Sequence, residues 1–359
     1  MSLRSDIMAR FTDQGSNEPI FVPDLNAWYR RNNRAGTLPE RYADWTLAQI
    51  YRDLELPVWQ IVRPWRVHVM GLEAEEQETE TERVRRVETI AGVMVWRWER
   101  VPDGGWQQVE FPIKSAADLP AAVEWSRALG CSLDTEGLTE LEMSIGDDGI
   151  LAIEVPPRPL MNVVSRLLGW EGRLDLLQEP AIEHITEHLE QRLQPLVTSL
   201  AQISVPVQYA SDQLDGATLS DALFRQYLLP SYQSTMEELH EYHKRFVVQS
   251  RGPIKNLLQG LADSGVDVVA GFSCATAGEG SLVDLHELAG GRITLWGGIP
   301  GEMLLPETDR ETFDERVRQV ARMAVGRERL LLGISGGVPV QAELARLQAV
   351  PYLMQEAVS

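Results

Sequence analysis

VPVQYASDQLDG (Val205–Gly216), RFVVQSRG (Arg245–Gly252), VDVVAGFSC (Val266–Cys274) and RITLWGGIP (Arg292–Pro300) are four renderings of one unit, and LLLGISGG, from Leu330, opens a fifth. Each is a short apolar run rich in β-branched residues, then a cluster of Gly and polar residues, then a helical stretch. Strands that alternate with helices predict a parallel sheet. Parallel strands are covered on both faces and read as continuous apolar runs, as FVV, VDVVAGF and LLLGI do. In closed α/β barrels the chemistry gathers where strands run out into the loops before the helices, so the ends of these runs are where a site is expected.

Working outward, GILAIEVPPRPLMNVVSRLLGW, from Gly149, reads as a strand, a loop and a helix, and a longer helix is predicted from Pro180 to about Ile203. RVRRVETIAG, VMVWRWERV and WQQVEFPI alternate with period two around the turn residues Pro102 to Gly105, which predicts a hairpin with Trp96, Trp98 and Trp106 free for cross-strand contacts. SAADLPAAVEW, from Ser115, has the form of an N-capped helix. The segment NAWYRRNNRAGTLPERYADWTLAQIYRDLEL reads as helices broken at Gly36 and Pro39. No linker cuts the chain. The fold class expected is α/β, a (β/α)8 TIM-type barrel forming a single domain over 1–359, with N-terminal helices over about 1–60 and an inserted β-hairpin at about 83–113.

Composition bounds the function. The 359 residues suffice for one barrel of roughly 250 residues with additions. A net charge of −20, from 33 basic and 53 acidic residues, opposes binding to a phosphate backbone, so no nucleic-acid partner is expected. No apolar run approaches the roughly 20 residues that span a bilayer, and the opening MSLRSDIMARFTDQGSNEP has no apolar core of a secretory signal. Two cysteines, Cys131 and Cys274, make no disulfide framework. A cytoplasmic protein acting on a small molecule is expected.

The candidate site residues stand at the strand ends. Gln249 and Arg251, two apart, are expected to share a strand face and point into the barrel mouth, where Arg251 could hold a carboxylate or phosphate; the bland alternative is an Arg paired to a neighbouring acid. Asp212 and Asp215 could act as acid, base or cation site, while turns and helix caps compete for Asp215 and Asp221. Cys274 is either a thiolate nucleophile or a small buried hydrophobe. Trp296, Gly297 and Gly298, with Ser335 and Gly336, place glycines directly after strands, where backbone N–H groups could bind an anion or simply make a tight loop. His184, Glu187 and His188 spell H-x-x-E-H, but on a charged amphipathic helix whose spacing arises by chance; His240, His243 and His286 read as structural or surface residues.

The order SDQLDG, LLPSY, LHEYHKRFVVQSRG, DSGVDVVAGF, ITLWGGIP and LLLGISGGVP resembles the uroporphyrinogen decarboxylase superfamily, which includes the cobalamin-linked methyltransferases. WYRRNNRAGTLPERY, ETIAGVMV and WQQVEFPIKSAADL extend the likeness over most of the chain. The resemblance implies a distorted (β/α)8 barrel, a small anionic or methylated substrate, a methylcobamide presented by a corrinoid partner protein, and a homodimer. The shared strand-end placement, independently of the resemblance, assigns Asp212, Gln249 and Arg251 as the catalytic residues, with Asp215, Cys274, Trp296, Gly297, Gly298, Ser335 and Gly336 lining the substrate. The zinc-dependent members carry their ligands where this chain has Gln249, Arg251 and Ser335. Amide, guanidinium and hydroxyl are poor zinc ligands, so no zinc is expected on that triad. A carbon–carbon lyase of the decarboxylase type, with Arg30, Arg31 and Arg34 as a carboxylate cradle, and a non-catalytic partner of a corrinoid protein are the alternative readings.

Overall fold

The computed structural model describes residues 2–12, 18–102, 104–170, 173–272 and 280–358. Cys274 lies outside the described residues. The chain forms two compact units: Met1–Arg63 with Glu136–Val155 and Ile203–Ser359, and Pro64–Thr135 with Pro156–Gln202. Among the described residues thirteen strands occur, numbered along the chain as β1 (Val58–Val62), β2 (Trp65–Val69), β3 (Ala74–Glu78), β4 (Glu82–Thr89), β5 (Gly92–Arg100), β6 (Trp106–Glu110), β7 (Leu129–Leu133), β8 (Gly149–Val155), β9 (Val207–Leu214), β10 (Arg245–Ser250), β11 (Val268–Ala270), β12 (Thr294–Pro300) and β13 (Leu330–Ser335).

The first unit holds one seven-stranded sheet, ordered β1-β8-β9-β10-β11-β12-β13 and parallel throughout. All five repeats of the sequence pattern become strands of it. Every residue of β12 and β13 is buried, which is why those runs show no alternation. Helices Leu229–Glu241, Leu258–Ser264, Leu282–Ala289 and Arg310–Ala324 connect successive strands. Their ends carry the expected chemistry: Ser281 and Asp284 close a capping box, and Gly265 and Gly290 end their helices in the left-handed region.

The sheet is strongly curved. Trp59 of β1 packs edge-on against Trp296 of β12, with ring centroids 4.6 Å apart, and against Tyr209 of β9 at 6.4 Å. The first, third and sixth strands in the order therefore meet on one concave face. The two end strands share a neighbour. The stretch before the helix Asn26–Ala35 bonds β13 through Val22 N–H to Leu332 C=O (2.8 Å) and Leu332 N–H to Ile20 C=O (2.9 Å). It bonds β1 through a side chain: the Asn26 amide donates to Trp59 C=O (2.9 Å) and accepts from Ile61 N–H (2.8 Å), as a peptide group would. Trp296 adds a bond from its indole to Val22 C=O, and Gly333 makes room for it, since a Cβ there would stand 2.5 Å from that indole nitrogen.

In the second unit the expected hairpin is β5-β6, at one end of a four-stranded antiparallel sheet, β3-β4-β5-β6, whose first strand precedes residue 83. The tryptophans make the expected cross-strand contacts, each with an arginine: Arg83 over Trp98, Arg85 over Trp96 and Arg100 over Trp106. A second small sheet, β2-β7, and the helices Leu119–Arg127 and Pro180–Ala201 complete the unit. No helix of the described residues is long and apolar enough to cross a membrane.

Candidate functional site

Register fixes which side chains share the concave face with Trp59, Tyr209 and Trp296. Glu154 is paired with Tyr209, Tyr209 with Val247, and Gln249 with Ala270, itself paired with Trp296. Toward the C-terminal ends of β1, β8, β9 and β10, Ile61, Glu154, Ser211 and Gln249 are partly open to solvent, although the strands are buried below them. The face is thus a recess with an aromatic floor of Trp59, Tyr209 and Trp296 and a polar mouth. Ser211 donates to Glu154 across 2.7 Å.

The stretch that joins β13 to β1 carries Asp24, whose charge acts on Tyr209. Its Oδ1 accepts from the Asn26 backbone N–H (2.8 Å) and side-chain amide (2.7 Å). Burial pushes the Asp24 carboxyl above its ordinary range, against the opposing pull of those two bonds and of the Arg30 charge. Tyr209 is raised further still, first by burial, then by the nearby carboxylates of Asp24 and Glu154, so its hydroxyl stays protonated. Arg30, on the next helix, acts electrostatically on both Asp24 and Tyr209. Asp24, Glu154 and Tyr209 were not singled out in the sequence. The readable signal was Glu154, a lone charge in the apolar run GILAIEV.

The residues expected at the mouth divide. Gln249 lies on the concave face. Arg251 does not share it: β10 ends at Ser250, and the Arg251 side chain, 47 % exposed, reaches toward Asp215 (3.9 Å). Asp215 makes a turn, accepting from Ala217 N–H (2.9 Å), and its carboxylate rests on Gly252, where a Cβ would come within 2.6 Å of it. Asp212 is also redirected. Ala210 pairs with Val248 and Leu214 with Ser250, so β9 carries two extra residues in a bulge, with Gln213 at φ +54°. The Asp212 carboxylate, 1 % exposed, takes the hydroxyl of Tyr232, a residue packed on Phe224 and on Phe246 of the helix-covered side of β10. Trp296 belongs to the floor. Gly297 packs beside Phe272, Gly298 N–H donates to Ser335 Oγ (3.0 Å), and Gly336 N–H donates to Gly271 C=O (3.0 Å), so these N–H groups are already engaged within the fold.

The positions matched to zinc ligands do not form a ligand set: Gln249 faces the recess, Arg251 turns to Asp215 and Ser335 braces Gly298. No group of three His, Cys, Asp or Glu capable of holding a metal occurs among the described residues. In the second unit His184 and His188 diverge, the first exposed beside Glu187 (3.7 Å), the second bonded to Ser126 (3.0 Å) and Arg127 (3.2 Å), with its pKa lowered by burial and by Arg127. His240 bonds Asp267 (3.0 Å), and His286 bonds Glu328 C=O (2.7 Å).

Comparison with known proteins follows the same lines. No curated protein matches the sequence. Among solved structures, a methyltransferase from Methanosarcina mazei superposes with a TM-score of 0.58 at 16 % identity, over 100 % of both chains, which shows a shared fold. Weaker likeness extends to the D-psicose 3-epimerase of Clostridium cellulolyticum H10 (TM-score 0.35, 10 % identity, 62 % of this chain and 81 % of that one). It extends also to a Bacteroidetes-affiliated GH5 cellulase (0.39, 11 %, 70 % and 77 %). Residues 177–356, which supply β9 to β13, match the family model described as uroporphyrinogen decarboxylase (URO-D), and the chain belongs to that family.

Proposed function

We propose that the chain is a methyl-transferring enzyme of this family, acting on a small anionic or methylated substrate in the recess at the strand ends of the first unit. The family match over 177–356 carries this reading, because that stretch builds five of the seven strands that end there. The fold shared with the Methanosarcina mazei methyltransferase supports it. The stretch from Ile20 to Asn26 stands in for the eighth strand and completes the (β/α)8 barrel, since it bonds both end strands. A methylcobamide carried by a partner protein enters as co-substrate and supplies or receives the methyl group.

The chain's own residues bind and orient. Trp59, Tyr209 and Trp296 form a dry floor that keeps water from one side of the reacting carbon. Gln249 orients the substrate by its amide, and Glu154, held by Ser211, offers an acceptor on the opposite wall. Arg251, paired to Asp215, braces the loop after β10. The test is demethylation of free methylcobalamin by a panel of small thiols and amines, followed by the absorbance change at the cobalt. Turnover reduced at least tenfold by Gln249→Ala, and unaffected by Arg251→Ala, is the expected result. Absence of turnover with every acceptor, with and without a corrinoid protein, overturns methyl transfer.

A further inference from the structure

Strands β2 and β7 of the second unit pair antiparallel with His68 opposite Gly130, and the ladder runs on past β2 through Met70 N–H to Ala128 C=O (2.8 Å). His68 and Met70, two apart, stand on one face of the strand. Their ends converge over Gly130: a Cβ built on that glycine would lie 2.7 Å from His68 Nε2 and 3.1 Å from Met70 Sδ. Both atoms therefore border the volume that a single methyl group would fill. The backbone does not call for glycine here, since Gly130 stays out of the left-handed region, and a glycine inside a strand weakens it. What it supplies is an open notch between an imidazole and a thioether, the close approach for which strands keep such glycines. Both side chains face solvent, Met70 with 49 % exposure although methionine is among the residues most often buried. His68 makes no hydrogen bond or ion pair among the described residues, so neither ring nitrogen is engaged. Cys131, next along β7, projects to the opposite face of the pair.

We propose that His68 Nε2 and Met70 Sδ bind one copper(I) ion across Gly130. A thioether is a soft, neutral ligand that selects copper(I), and imidazole suits the same metal. Zinc(II) sites are built from three or four protein ligands drawn from thiolate, imidazole and carboxylate, whereas this pair offers two neutral ligands and no anion. Copper(I), with a filled d shell, accepts two-coordinate geometry. The three rotatable bonds of Met70 let its sulfur close on an ion held by the imidazole. Binding forms two dative bonds from lone pairs on nitrogen and sulfur, and nothing is oxidised or reduced. The site is independent of methyl transfer and of the recess.

The test is anaerobic addition of copper(I), as its acetonitrile complex, to the whole chain carrying carbon-13 in its methionine methyl groups. The two cysteines also take up this ion, so the readout is the Met70 methyl resonance, followed beyond the point at which the thiols are filled. Met70→Leu, a change at the surface, identifies that resonance. The expected result is a saturable shift of the Met70 methyl together with the His68 ring signals, and no shift with zinc(II) at the same concentration. His68→Ala, and Gly130→Ala by filling the notch, are each expected to weaken the Met70 response at least tenfold. A Met70 signal that stays fixed once the thiols are filled overturns the proposal, and that reading needs neither the His68 nor the Gly130 variant to fold. A response that survives His68→Ala overturns the pair, and an equal response to zinc(II) overturns the choice of copper(I).

Discussion

Asp24 and Asp212 show how far two carboxylates of one unit can differ in use. Asp212 is enclosed and spoken for by Tyr232. Tyr232→Phe deletes that hydroxyl from a closed site, and we expect a loss of about 1–3 kcal/mol in urea unfolding. Asp24 carries the opposite pH signature. Its folded pKa lies above the unfolded value of about 3.9, so the folded state holds the proton more tightly. Stability is therefore greatest below the unfolded value and falls as pH rises through the window between the two values; above both the full cost of burying the charge remains. Asp24→Asn is expected to be flat across that window and more stable than the natural chain at pH 8, as read by thermal unfolding. Asp212 was legible as a strand-end acid, but its direction was not. That direction depends on a bulge whose left-handed residue, Gln213, carries no sequence signal.

At the level of elements, the joint between β13 and β1 depends on Asn26, whose one amide replaces two rungs of a ladder and also grips Asp24. Asn26→Ala removes three side-chain bonds, each worth about 0.5–1.5 kcal/mol. We expect a destabilisation of about 2–4 kcal/mol in urea unfolding, with faster hydrogen exchange at Ile61. Gly333→Ala is expected to displace the Trp296 indole from Val22 and shift tryptophan fluorescence. The repeating strands were readable because double burial leaves unbroken apolar runs such as Leu330 to Ile334. Strand β3 was not: AEEQE is exposed along its whole length and exists by pairing with β4. Strand β1 was missed for another reason, since VWQIV is followed after two residues by β2 in the other unit, and no helix separates them.

For the whole molecule, the family and an α/β fold built on a parallel sheet could be read from the second half of the chain, where strand and helix alternate. The recess could not, because its floor and mouth are assembled from residues as far apart as Trp59, Glu154, Tyr209 and Trp296. Only tertiary closure brings these together, and single-residue chemistry gives no hint of it. The excess of negative charge, by contrast, acts at long range and needs no structure. With a net charge of −20 the protein is expected to pass through a heparin column at about 0.15 M salt without retention.

The bonds from Ile20 and Val22 to Leu332 join residues some three hundred positions apart, and they have a consequence for time rather than for energy. A contact of such separation forms late, since the entropy of closing so long a loop is recovered only when the remaining strands are already in place. During synthesis the amino-terminal stretch must wait until β13 has emerged. Asn26 travels on that stretch, so the chain acquires most of its shape before β1 and β13 gain their shared neighbour.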